Sequence, residues 1–129
     1  MWGQGGLLYV YFVYGMHHCA NVVASQAGDP VAVLLRALAP VEGLELMQKR
    51  RGRATQLCSG PARLCQALGI DRRLDGYDLA AAEDLFIEPN PAGRFAIVTA
   101  SRIGVEYAGT WAGKPLRYYI RGNRHVSRP

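Results

Sequence analysis

Long apolar runs are missing from this 129-residue sequence. The longest, around Leu7 to Gly15, is far too short to span a bilayer, so no membrane partner is expected. No basic n-region followed by an apolar h-region opens the sequence, and no secretory signal is read. Cysteine is scarce: Cys19, Cys58 and Cys65 make an odd number, with no Cys-x-x-Cys pair and no zinc-finger spacing to a histidine. That excludes a disulfide framework and a cysteine zinc site, and an intracellular, reduced protein is the simplest expectation. The run His17-His18-Cys19 resembles a metal cluster only on paper. Neighbours on a strand point to opposite faces and cannot converge on one ion without a sharp bend. Lysine is also rare: Lys49 and Lys114 stand against thirteen arginines. A GC-rich genome gives such a bias by default, although Arg is also the better fork for phosphate. Repeats, low-complexity tracts and linkers are absent.

What is present describes a globular chain of one domain, with half of its residues hydrophobic. Fifteen basic against ten acidic residues leave a net charge of +5. A polyanion partner is compatible with that balance but not required by it.

A Gly-rich lead-in precedes a strong strand, Leu7 to Tyr14, rich in aromatic and β-branched residues. Tyr9, Tyr11 and Val13 fall on one face, and Val10, Phe12 and Tyr14 on the other. Gly15 marks a turn, and His18 to Ala24 returns as the second arm of a hairpin with Tyr14-Gly15 at its tip. Val31 to Leu38 reads as a deeply buried strand interrupted by Arg36. A helix is expected from Pro40 to about Arg50, with Val41, Leu44 and Met47 on one stripe. A second runs from Ser59-Gly60-Pro61 to Gly69, with Leu64, Ala67 and Leu68 inward. Leu85 to Glu88 and Phe95 to Ala100 read as a hairpin across residues 89–93. Leu116 to Arg121 is a final strand, with Leu116, Tyr118 and Ile120 opposite Arg117, Tyr119 and Arg121. The class is α+β: a mostly antiparallel curved sheet, a projecting hairpin and two or more short helices in one domain, residues 1–129.

Four features could carry chemistry. An exposed Tyr14 on a short turn would have the geometry of a wedge between bases; the alternative is packing on the neighbouring strand. Arg36 either forms an ion pair with one of the acids or lines a pocket and holds a water or an anion. The run Arg117 to Arg128 interleaves Arg with aromatics, which suits either a phosphate backbone or a solvated strand face. The Lys49 to Arg53 cluster carries the same two readings.

Five ordered blocks then acquire a common meaning. They are Tyr9-Val10-Tyr11-Phe12-Val13-Tyr14-Gly15-Met16-His17-His18-Cys19-Ala20-Asn21, the segment Val33 to Glu45, the segment Leu57 to Leu68, Arg102-Ile103-Gly104-Val105, and Lys114 to Gly122. Together they resemble the alkyladenine, or 3-methyladenine, DNA glycosylases of the mammalian type. The resemblance implies base excision repair: a damaged purine is flipped from duplex DNA and its N-glycosidic bond is hydrolysed by an activated water. It implies a monofunctional enzyme with no metal and no cofactor, and a monomer whose partner is double-stranded DNA containing damaged purines. A cytoplasmic, nucleoid-associated place in a bacterium is expected.

By position, Tyr14 matches the family's intercalating tyrosine, and Met16 a residue at the DNA surface beside it. Tyr11 matches an aromatic that stacks on the extruded base. Asn21 matches the residue that crowds the 2-amino group of guanine. Arg36 matches an arginine that holds the attacking water, and Ile103 a residue whose backbone carbonyl contacts the same water. Alkylated purines are electron-poor and often cationic, so aromatic faces suit them and the base leaves readily.

The family's general base is a Glu in a segment resembling Val-Glu-Thr-Glu-Ala-Tyr, upstream of the hairpin. That segment is not in this sequence, and neither are a second pocket aromatic and a base-contacting His. Glu42, Glu45 and Glu106 do not occupy the position, so the general base is read as not in the chain. The expectation is a C-terminal portion of the glycosylase domain; the alternative is a non-catalytic DNA-binding remnant. A small RNA-binding α+β domain is a third reading.

Overall fold

The computed structural model describes residues 1–91 and 93–129. The chain divides into two compact units, 1–89 and 90–129, each considered by itself. Both are built from antiparallel strands and short helices, so the class is α+β.

In the first unit three strands lie side by side: β1 (Leu8–Val13), β2 (His17–Val23) and β3 (Ala32–Leu34), in the order β1-β2-β3. The β1–β2 hairpin falls within one residue of its expected ends. Its register pairs Tyr9 with Asn21 and Tyr11 with Cys19. Leu8 and Val10 alternate inward and are buried with Ala20. The outer edge of β1 is not left open, because the 76–79 segment runs along it. Leu8 N–H donates to Tyr77 O at 2.8 Å, and Gly76 N–H donates to Leu8 O at 2.8 Å. The Asp75 carboxylate accepts the Val10 N–H at 2.9 Å. These contacts satisfy groups that would otherwise template another strand.

Helices α1 (Leu44–Arg51) and α2 (Pro61–Leu68) pack together, with α2 also against β2. Helix α2 starts with Pro61 in its first turn and ends at Gly69, whose φ of 72° is the left-handed stop. Leu64, Cys65 and Ala67 are its buried face. With Leu8, Val10, Ala20, Leu57, Cys58, Ile70 and Leu79 they form the core.

Three expectations are corrected here. The strand read from Val31 to Leu38 is paired only over Ala32–Leu34, and Val33 is 55% exposed. Among the described residues its sheet neighbour is β2 alone, so β3 is an edge strand, and none of its residues is buried. The first helix begins at Leu44, not Pro40, because Gly43 has a φ of 70° and lies outside helical space. Val41 and Leu44 are consequently exposed, and only Met47 of the expected stripe packs on the core.

The second unit pairs β4 (Ile97–Ala100) with β5 (Arg117–Ile120), antiparallel, joining Val98 to Tyr119 and Thr99 to Tyr118. A 3₁₀ segment, Glu106–Trp111, lies between them and is broken at Gly109. The expected hairpin of Leu85–Glu88 with Phe95–Ala100 does not form, since the partner of β4 is β5 and residues 85–88 are not a strand. Ala92, in the loop drawn for that hairpin, lies outside the described residues. Along β5 exposed Leu116 and Tyr118 alternate with half-buried Arg117 and Tyr119, and among the described residues of 90–129 none is fully buried. A two-stranded pair offers too little sheet to bury a face of its own.

Candidate functional site

Alternation along β1 and β2 sorts the candidate residues. Leu8, Val10 and Ala20 turn to the core, so Tyr9, Tyr11, Cys19 and Asn21 take the other side of the sheet. The Tyr9 and Tyr11 rings sit 5.4 Å apart and are tilted by 35°. Asn21 is 7% exposed, and its side-chain N–H donates to Tyr9 O at 3.2 Å. That bond fixes the amide orientation at a buried position, where an unpaired amide would be costly.

Arg36 follows β3. Asn21 pairs with Leu34, and Leu35 N–H donates to Ala20 O at 3.0 Å, so the pairing runs on past the strand. Arg36 therefore comes level with Cys19, on the side of the sheet that holds Asn21 and Tyr11. The Cys19 thiol registers both neighbours. Burial raises its pKa, while a hydrogen bond from Tyr11 and the Arg36 charge pull the other way. Tyr11, Asn21 and Arg36, far apart in sequence, are thus brought to one face. Tyr9 joins them without having been singled out; its shared parity with Tyr11 was the available signal. A depression of about 200 Å³ lies beside Tyr9, bordered by Leu7, Val23 and Asp75.

The hairpin tip is separate from that face. Tyr14 is 91% exposed, so the packed alternative read from the sequence does not hold. Tyr14 and Gly15 have φ values of 53° and 66°, and Met16 N–H closes the turn on Val13 O at 3.2 Å. Two consecutive positive φ values are the pattern of a type I′ turn, which matches the twist of the strands it joins. Glycine takes this conformation freely, but a bulky side chain does not, at a cost of roughly 1–3 kcal/mol. The ring of Tyr14 is therefore held outward by a strained, closed turn. Met16 stands exposed beside it.

His17, His18 and Cys19 alternate as strand residues do. His17 is exposed, His18 packs against Phe12 at 4.8 Å, and Cys19 is buried. Among the described residues no group of three His, Cys, Asp or Glu side chains is placed to hold a metal ion. No helix among them is long and apolar enough to cross a membrane. Burial pushes the Cys65 thiol up to about 11, with the neighbouring Cys19 adding to the effect.

Ile103 belongs to the second unit. It is half-buried in the loop after β4, next to Gly104 at a φ of 74°. Arg102 donates to Trp111 O at 3.2 Å, and Arg117 donates to Ser101 O at 2.8 Å. This loop is thus tied from both sides by arginines; for Arg117 the sequence pattern pointed to DNA or solvent instead. Lys114 lies 3.4 Å over the Trp111 ring.

A sequence profile of one protein family, described as methylpurine-DNA glycosylase (MPG), matches residues 1–124. The chain belongs to this family. The human DNA-3-methyladenine glycosylase is 47% identical over 98% of this chain and 46% of its own length. The mouse protein of the same name is 45% identical, over 98% of this chain and 42% of its own length. A relative from Rubrobacter xylanophilus is 48% identical, over 96% of this chain and 64% of its own. The chain thus spans about half to two thirds of the length of these relatives. Mammals and a bacterium both hold such relatives, so the resemblance does not set a bacterial origin.

Proposed function

We propose that this chain serves DNA base excision repair, as the DNA-engaging part of a methylpurine-DNA glycosylase that flips damaged purines from duplex DNA and hydrolyses their N-glycosidic bonds. The observation that carries the reading is the division of labour in one hairpin. Its tip presents Tyr14 outward, while one face of its strands gathers Tyr9, Tyr11 and Asn21, with Arg36 alongside.

In this reading Tyr14 enters the base stack and fills the space of the departed nucleotide, with Met16 against the neighbouring base pair. Tyr11 offers its ring face to an electron-poor purine, and Tyr9 backs that ring. Asn21, fixed by Tyr9 O, crowds the purine edge where guanine carries its 2-amino group. Arg36 orients the attacking water. Its charge is better suited to holding a water oxygen than to taking a proton. None of the ten acids of this sequence is assigned the role of proton acceptor. A general base supplies about 10²–10⁴-fold of rate, so excision by these 129 residues alone is expected to be slow. Water as nucleophile makes the reaction monofunctional, leaving an abasic site uncut.

The second reading, a non-catalytic binder of damaged duplex, is favoured by the same lack of an assigned carboxylate. One assay separates the two. A labelled duplex carrying hypoxanthine or an alkyladenine is incubated with the chain, and abasic sites are then cleaved with hot alkali. Excision well above background supports the glycosylase reading. Tight binding of the lesion duplex without excision supports the binder. Equal affinity for undamaged single-stranded RNA, with no excision, would overturn both.

A further inference from the structure

Arg51 ends α1, Arg53 follows it, and Arg63 lies in the first turns of α2. Each of the two helical arginines is held by neutral groups. Arg51 Nη1 donates to Gln66 Oε1 at 2.5 Å. Arg63 Nη1 donates to Gln56 Oε1 at 3.2 Å and to Ser59 Oγ at 3.0 Å. Among the described residues no carboxylate lies within ion-pair distance of Arg51, Arg53 or Arg63, whereas Arg73 is paired with Asp71 at 2.7 Å. Arg51 Nε is buried and has no hydrogen-bond partner there. Burial, and after it the charges of Arg53 and Arg63, weigh against the Arg51 cation. Like charges collected without a counter-charge are unfavourable by themselves and favourable once an anion arrives.

A depression of about 460 Å³ opens over Arg51, Arg63 and Gln66, and its opposite wall is Met16, His17 and His18 of the hairpin. The groove therefore begins two residues from the exposed Tyr14. We propose that it binds a backbone phosphate of duplex DNA next to the nucleotide displaced by the wedge, with the guanidinium groups of Arg51 and Arg63 as the principal donors. The inference rests on the DNA-repair reading. A strand leaving the base stack at Tyr14 carries its own phosphates past the groove, and an open trough suits a strand better than a free ion. Guanidinium forks give directional, charge-assisted bonds to phosphate oxygens, and such contacts set register without reading sequence.

The test is the binding of a short fluorescent duplex containing one hypoxanthine, measured by anisotropy over a KCl series. Removing one phosphate-binding cation should flatten the plot of log Kd against log [KCl] by about one unit. Arg63→Gln is expected to weaken binding about tenfold at low salt and to flatten the slope by about one. Arg51→Gln should do the same, and Arg63→Lys should restore the slope. Arg73→Gln, which removes a cation already paired with Asp71, should leave both affinity and slope unaltered. Wild-type slopes in both Arg51→Gln and Arg63→Gln, from a chain that still binds the lesion duplex, would overturn the groove and leave the DNA reading intact. A weakened affinity at unchanged slope would overturn it as well, since that is the signature of misfolding and not of a missing phosphate partner. A wild-type chain that binds no duplex at low salt would overturn the groove and the DNA reading together.

Discussion

The side-chain amide of Asn21 donates to the carbonyl of Tyr9 at 3.2 Å, so β1 and β2 are joined by a side chain as well as by their ladder. Asn21 is nearly buried, and the amide has little water to fall back on. Asn21→Ala should cost about 1–2 kcal/mol, read as a lower urea midpoint at unchanged m-value. Asn21→Asp should cost more, because a carboxylate has no donor for Tyr9 O and would be buried as a charge. A midpoint within error of the wild type for both variants would show that the bond is not formed in solution.

Tyr14 predicts the opposite balance between stability and function. Its side chain is almost wholly exposed, and its φ of 53° belongs to glycine. Tyr14→Gly should therefore be neutral or stabilising by up to about 1 kcal/mol. Stacking by one aromatic ring contributes about 1–3 kcal/mol, so binding of lesion duplex should fall by roughly 5- to 150-fold. Urea melts and anisotropy on the same samples check both halves. A destabilised Tyr14→Gly with unaltered affinity would mean that the ring packs in the fold and does not wedge.

The contrast between these two residues shows what the sequence makes visible. Period-2 alternation and Gly15 placed the hairpin within one residue, and with it the opposed settings of Tyr11 and Tyr14. Pairing partners were less legible. Ile97 to Ala100 is a strand, as its pattern implies, but its partner is β5 and not the 85–88 segment. Both runs have strand-forming residues, and local pattern carries no information on which one reaches the β4 edge. The apolar run of β3 likewise implied burial on both faces, but nothing in a local pattern tells whether a second layer covers the outer face, and Val33 is left 55% exposed. At the site, Arg36 was legible as an anomaly in an apolar strand. Arg51 was legible only as one of the basic run Lys49 to Arg53, and Arg63 not at all, because their meaning lies in the neutrality of Gln56, Ser59 and Gln66 around them.

Arg36 can be probed without any DNA. Its charge lowers the pKa of the Cys19 thiol, against the larger effect of burial. Arg36→Gln should push that thiol further up and slow its alkylation at a fixed mildly alkaline pH. Rates for the three cysteines can be separated by peptide mass spectrometry, with Cys58 as the internal reference. A Cys19 rate unchanged by Arg36→Gln would place the guanidinium elsewhere and remove it from the water-holding role.

Cys65 gives a pH dependence whose sign can be worked out. Its thiol stands at about 11 in the fold against an ordinary value of 9.0, chiefly because burial disfavours the thiolate. The folded state therefore holds this proton where the unfolded chain has begun to release it. The corresponding stability is fully present below pH 9 and is lost as pH rises toward about 11. Cys19 and Cys58 are raised by burial as well and act in the same direction. Urea midpoints should thus fall steadily across this range. Cys65→Ala should lower stability at pH 7, because it opens space in the α2 core, but should flatten the alkaline decline. An equally steep decline in Cys65→Ala would assign the alkaline sensitivity to other groups and show that the Cys65 thiol is not held protonated by the packing of α2 on β2.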